Sequence, residues 1–180
     1  KMLDAAERKG ESTSAQVLRG TASAMRAFLA EFAGQTTRAI ELARKADELL
    51  PGELVMTRSL IPYILSRAYR HQGDLEQAEN CLGQHVQLAR AADNTWSLAG
   101  AVHEMVWLCR LRGRLSEAER LLDDFDAAHR EPGNAGPIAK LIAARAEIER
   151  ERGNLDRAAK IAQDAVQAVM RWGLPSDMCF

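Results

Sequence analysis

Three cysteines are few for 180 residues, and their number is odd. Cys81, Cys109 and Cys179 form no CxxC pair, which argues against a disulfide framework and against a zinc site and favours a reducing, cytoplasmic setting. Aromatic residues are only 5% of the chain. Neither sign of charge dominates: 24 Lys and Arg face 25 Asp and Glu, for a formal net charge of −1. No basic field is therefore offered to a nucleic-acid backbone. No apolar run approaches the ~20 residues that cross a bilayer, so no membrane contact is expected. No signal-peptide pattern is visible in the opening residues. The motif GxxxxGK[ST] is missing, so this segment is not expected to hold ATP through a P-loop. No Ser lies in GxSxG, and no Cys/His/Asp constellation follows from spacing, so the expectation is a chain that is not an enzyme. Strand-like alternation is missing as well.

What is present favours helix. Ala, Leu, Arg and Glu are abundant, and these side chains lose least on entering a helix. Hydrophobic content of 47% and charged content of 27% fit a globular chain with room for one domain and a sizeable core. The first residues, Lys1 and then "LDAAERKG", read like the tail of a helix, and the chain is read as a fragment of a longer protein with residues 1–180 as one helical-repeat domain.

One phrase recurs. Residues 73–79 read GDLEQAE, 113–119 GRLSEAE and 153–159 GNLDRAA, with a worn copy, GQTTRAI, at 34–40. Gly34, Gly73, Gly113 and Gly153 thus stand 39, 40 and 40 residues apart, and a fixed period in this range marks a stacked repeat array. Each phrase has a mechanical sense. The Gly closes one helix in the left-handed conformation. An N-cap candidate follows: Asp74 or Asn154, with Arg114 a poor substitute, and Gln77 placed to complete a capping box with Asp74. Leu75, Leu115 or Leu155 then starts a new apolar face. Ala39, Ala78, Ala118 and Ala158 are small enough to let two helices approach closely.

The pattern predicts first helices over about 15–33, 54–72, 95–112 and 137–152, and second helices over about 36–50, 75–92, 115–130 and 155–172, where Ile161, Ala162, Ala165, Val166 and Val169 keep helical spacing. The repeats are 15–51, 54–92, 95–131 and 137–173. Breakers divide them: PGE at 51–53, ADN at 92–94, EPGNAGP at 131–137 and GLPS at 173–176. Pro62 either kinks the second first-helix or marks its true first turn. The expected fold is all-α: a right-handed superhelical array of about four antiparallel helix pairs, because one hairpin cannot bury its apolar face alone.

The spacing resembles the tetratricopeptide repeat. Tyr69, Gly73, Ala78 and Leu82 fit its pattern. So do Ala39, Ala43, Ala46 and Pro51 in the first copy, and Ala158, Ala162 and Ala165 in the last. The period is longer than that family's thirty-four. The run AYRHQGDLEQAENCLGQHVQLARAADNTWSLAGAVHEM, then RGRLSEAERLL and AVMRWGLPSD, is similar to the helical-repeat region of MalT-like, LuxR-type ATP-dependent transcriptional regulators, over roughly residues 15–178. The last copy departs from the pattern, with Glu149 at the Tyr-like position. The resemblance implies a sensor and protein-interaction domain that binds an inducer, either a small molecule or a protein, and takes part in self-association. It also implies an ATP-binding module upstream and a DNA-binding module downstream, with no cofactor in this segment. A free-standing scaffold docking a peptide or protein segment is the alternative.

In arrays of that kind the first helices line the inner groove. The resemblance therefore points to Tyr63, Arg67 and Arg70, to His103, Trp107 and Arg110, and to Glu147 and Arg150 as the binding surface. Tyr63/Arg67 and His103/Trp107 are each four apart and share a helix face. Aromatics beside Arg offer stacking and bidentate bonding to carboxylate or phosphate. The plainer reading is that Tyr63 and Trp107 pack between repeats while the arginines are solvated. Trp96 and Trp172 read as packing anchors near helix ends. Cys81 and His85, one turn apart, read as packing rather than as metal ligands. Cys109 reads as a small core residue, His71 as a cap on its helix C-terminus, and LDDFDAAH at 122–129 as a solvated helix face.

Overall fold

A computed structural model describes residues 2–129 and 135–172. Eight helices occupy them: α1 (Met2–Phe32), α2 (Thr36–Leu49), α3 (Val55–His71), α4 (Leu75–Ala91), α5 (Thr95–Leu111), α6 (Leu115–Ala128), α7 (Ala135–Glu151) and α8 (Leu155–Trp172). No strand occurs among the described residues, and the all-helical repeat reading holds. The helices fall into two compact units, α1–α4 within Lys1–Ala92 and α5–α8 within Asp93–Phe180.

The recurring phrase does what its residues dictate. Gly34, Gly73, Gly113 and Gly153 all adopt positive φ, between 69° and 81°. At each the chain reverses through the same two hydrogen bonds. Gly73 N–H donates to the Arg70 carbonyl and Asp74 N–H to the Tyr69 carbonyl, both at 3.0 Å. The same bonds join Gly34 to Glu31 and Gln35 to Ala30, Gly113 to Arg110 and Arg114 to Cys109, and Gly153 to Arg150 and Asn154 to Glu149. This is the Schellman closure, which uses up carbonyls that the helix end leaves unpaired. A Cβ at Gly73 would meet nothing within 4 Å, so only the backbone conformation resists substitution there. Gly73→Ala is expected to cost about 1 kcal/mol, measured by urea denaturation, since an L-residue is strained at φ 81°.

Caps follow the sequence in part. The Asp74 side chain accepts from Gln77 N–H at 3.1 Å. The Asp74 N–H, which a full capping box would give to Gln77, goes to Tyr69 instead. Asn94 caps α5 by accepting from Ser97 N–H at 2.9 Å. Arg114 makes no side-chain cap; it reaches forward to Glu117 at 3.0 Å. Asn154 turns its amide to Glu149 at 2.7 Å.

Two boundaries differ from expectation, and one open reading is decided. Helix α1 starts at Met2 rather than near 15, because nothing in 2–14 is a Pro or a turn pair that would stop it. Helix α7 starts at Ala135, which places Pro137 in the first turn, where a missing N–H costs nothing. Pro62 lies at the eighth residue of α3, so it does not mark that helix's first turn. The GLPS breaker lies outside the described residues.

The cores sit between successive helix pairs. In the first unit Ala24, Ala27 and Ala30 of α1 mesh with Ala39, Ala43 and Ala46 of α2, with Leu50 just past its end and with Ile61 and Ile64 of α3. Small residues allow close approach, so the contact is dense without large side chains. In the second unit Val102, Val106 and Cys109 of α5 meet Leu122 and Phe125 of α6 and Leu141, Ala144 and Ile148 of α7. Cys109 is the small core residue that was expected. Cys81 and His85 are buried on α4, and His85 Nδ1 donates to the Ser59 carbonyl at 2.7 Å, so their role is packing. Burial, and then the Asp74 charge, push the Cys81 thiol above its ordinary pKa. Trp96 is not the anchor its position suggested: it stands 47% exposed on the first turn of α5. The Trp172 side chain lies outside the described residues.

Candidate functional site

The eight residues singled out from sequence fall into two clusters, one in each unit. In the first, Tyr63 and Arg67 lie one turn apart on α3 and are half-buried. The Arg67 guanidinium sits 5.8 Å from the Tyr63 ring centroid and 5.2 Å from that of Phe32 on α1. It is therefore held between two aromatic rings, an arrangement that favours a cation. Tyr63 also meets the His85 ring at 5.2 Å. The counter-charge is Glu31, a buried carboxylate at the last turn of α1, with Oε2 2.9 Å from Arg67 Nε. His71 turns to the same carboxylate, its Nδ1 3.7 Å from Oε1, rather than back over its own helix end as expected. Arg70 occupies the last turn of α3, half-buried.

The second cluster lies on α5 and α7. Arg110 donates through Nη2 to Glu147 Oε2 at 2.8 Å and through Nε to Glu151 Oε1 at 2.8 Å. Arg150 donates to Glu147 Oε2 from Nη2 at 2.9 Å. Two arginines thus share one carboxylate. Partial burial pushes the Glu147 carboxyl up, but the Arg150 hydrogen bond and the Arg110 and Arg150 charges outweigh it and hold it below the ordinary range. His103 and Trp107 lie on the same α5, both half-buried, with His103 Nδ1 3.9 Å from Glu104 Oε1.

A lowered carboxylate pKa contributes stability that is present above its unfolded value and lost as pH falls through the folded one. The urea midpoint of the second unit should therefore be flat above about pH 5 and fall below it. Glu119 adds to the same trend, because its hydrogen bond from Arg152 lowers it. Glu147→Gln should flatten part of the decline, as read from denaturation at pH 7, 5 and 3.5.

Sequence reasoning missed Glu31, Phe32, His71 and Glu151 as members of these clusters. Glu31, Arg70, Arg110 and Arg150 each stand three residues before their turn glycine. That register would have flagged Glu31 as the one acid in a column of arginines. The acids of LDDFDAAH are partly solvated as expected, yet Asp123 and Asp126 also clasp Arg145 of α7 at 2.8 Å each. Among the described residues no group of three or more His, Cys, Asp or Glu could hold a metal, and no helix is long and apolar enough to cross a membrane.

The first cluster presents a guanidinium beside two aromatic rings and a buried carboxylate, and the second presents two arginines that share a carboxylate. They can bind and orient a charged or aromatic group. A family model described as the MalT-like TPR region matches residues 20–178. No curated protein matches the chain.

Proposed function

The chain belongs to the family of MalT-like TPR regions, and from that membership we propose that it is the sensor and interaction region of a LuxR-type transcriptional regulator. Helical-repeat regions of this type generally bind other molecules and are generally not catalysts. Here an inducer, a small molecule or a protein, engages the Arg67 cluster of the first unit or the Arg110 cluster of the second. It competes with Glu31 or with Glu147 for guanidinium groups, and its differential affinity biases one arrangement of the helix pairs over another. An ATP-binding module upstream reads the change, a DNA-binding module downstream delivers it, and the repeats take part in self-association. The region itself needs no cofactor and touches no nucleic acid.

The observation that carries this reading is the family match over nearly the whole chain. The parent reading frame tests it. A P-loop encoded upstream and a helix-turn-helix downstream are the expected result. A frame that encodes neither overturns the regulator and leaves a scaffold that docks a peptide or protein segment in the cytoplasm.

A further inference from the structure

Helix α4 carries a glycine that the packing within the chain does not ask for. Gly83 is the ninth of its seventeen residues, exposed and helical, and a Cβ there would meet nothing within 4 Å. Glycine is the poorest helix former after proline, so Gly83 weakens α4 without gaining a contact inside the chain. Gly20 of α1 is the contrast. A Cβ there would stand 2.8 Å from Leu50 Cγ, so close packing accounts for it.

The face beside Gly83 also differs from that of the other second helices. At four, seven, eleven and fourteen residues after its turn glycine, α4 has Gln77, Asn80, Gln84 and Gln87, all exposed. At the same positions α2 has Arg38, Glu41, Lys45 and Glu48, and at the first three α6 has Glu117, Arg120 and Asp124 and α8 has Arg157, Lys160 and Asp164. Spacings of three, four and three draw a seam along one side of a helix. In α4 that seam is uncharged. Side-chain amides both donate and accept, so one such seam is complementary to another. Helices of this chain precede and follow α4, and the seam is exposed all the same.

The charges at the two ends of α4 say which partner fits. Glu76 lies in its first turn and Arg90 in its last, both exposed. A two-fold axis over the middle of the helix sets two copies of α4 antiparallel. Gln77 then faces Gln87 of the second copy, Asn80 faces Gln84, and Glu76 at either end faces Arg90. Gly83 lies at the crossing, where a missing side chain lets two helices come close.

We propose that the face of α4 formed by Gln77, Asn80, Gly83, Gln84 and Gln87 seats the same face of a second copy of this chain, antiparallel about a two-fold axis. This gives a surface to the self-association in the regulator reading, and the two fail separately: that reading falls with the reading frame, this one with the mass of the chain in solution. One helix face is smaller than a standard interface, so a weak dimer is expected, with a dissociation constant on the order of 100 µM.

Sedimentation equilibrium of the full 180-residue chain tests it, with monomer expected at about 10 µM and dimer at about 1 mM. Gly83→Leu fills the crossing and should weaken association at least about tenfold. Leucine is the better helix former, so Gly83→Leu should not lower the melting temperature of the dilute monomer, which separates lost docking from lost folding. Glu76→Arg and Arg90→Glu each set like charges at both ends of the pair and should weaken it too. An equimolar mixture of those two variants should associate as tightly as the parent chain, because every end contact is again between opposite charges. Three results would overturn the proposal: a chain still monomeric at about 1 mM, a dimer indifferent to Gly83→Leu, or a mixture no stronger than its separate variants.

Discussion

Leu122→Ala should destabilise the second unit by about 2–5 kcal/mol, with no change in the denaturant slope. Leu122 is fully buried and meets Phe125, Leu141 and Ile148 within one core. It lies in the middle of α6 and serves two contacts at once, toward α5 and toward α7. Truncation removes about three methylene-sized groups from water-free surroundings and leaves a cavity that rigid helices cannot close. Leu155 is the control. It too is a leucine of a repeated phrase, but it stands 64% exposed at the start of α8. Leu155→Ala should stay within about 0.5 kcal/mol of the parent protein. Urea denaturation of both variants checks the pair. Equal losses would contradict the burial on which the repeat rests.

The second large effect is expected at Glu31. Glu31→Gln removes the counter-charge of Arg67, whose side chain is only 20% exposed. Breaking a buried pair costs about 3–5 kcal/mol, because the remaining charge cannot recover its hydration. The lower end applies here. Arg67 Nε is 2.9 Å from Glu31 Oε2, yet neither Glu31 oxygen receives a well-directed hydrogen bond. Attraction of charge, more than alignment, holds the pair, and the Phe32 and Tyr63 rings carry part of the cation's stabilisation. Glu31→Leu combined with Arg67→Leu should recover most of the loss, since two apolar side chains incur no desolvation penalty. Chemical denaturation of the single and double variants reads the difference. A double variant no better than the single would mean that the charges are not coupled.

Much of the fold was legible because the turn phrase is a local signal. Gly at C′, an apolar residue two on and Ala five on dictate closure, restart and close approach without reference to distant residues. The start of α1 was not legible in the same way, since no breaker stands near residue 15 and the helix runs through it. Trp96 was misjudged because helix-end aromatics often pack inward, and periodicity alone does not say which side of a first turn faces solvent. The candidate site was half legible. Tyr63 and Arg67 came together as helical spacing suggested, and Arg110 met Glu147, as Arg150 did, among the residues to which the family resemblance pointed. Their neutralising partners did not follow from spacing. Glu31 reaches Arg67 from a helix 36 positions earlier in the chain, and Glu151 reaches Arg110 across 41. Only packing decides such pairings.

The most direct test of the account is a thermal-shift screen of the chain against sugars, metabolites and short peptides. A ligand at 100 times its dissociation constant adds about 2.7 kcal/mol, which for a chain of this size raises the melting temperature by roughly 5–10 °C. The account predicts such a ligand. It also predicts that the rise, taken from each variant's own ligand-free midpoint, is lost in Arg67→Ala or in Trp107→Ala and Arg150→Ala. A rise that survives all three substitutions would contradict the assignment of the two clusters as sensing sites, whereas a blank screen would leave a protein as the inducer.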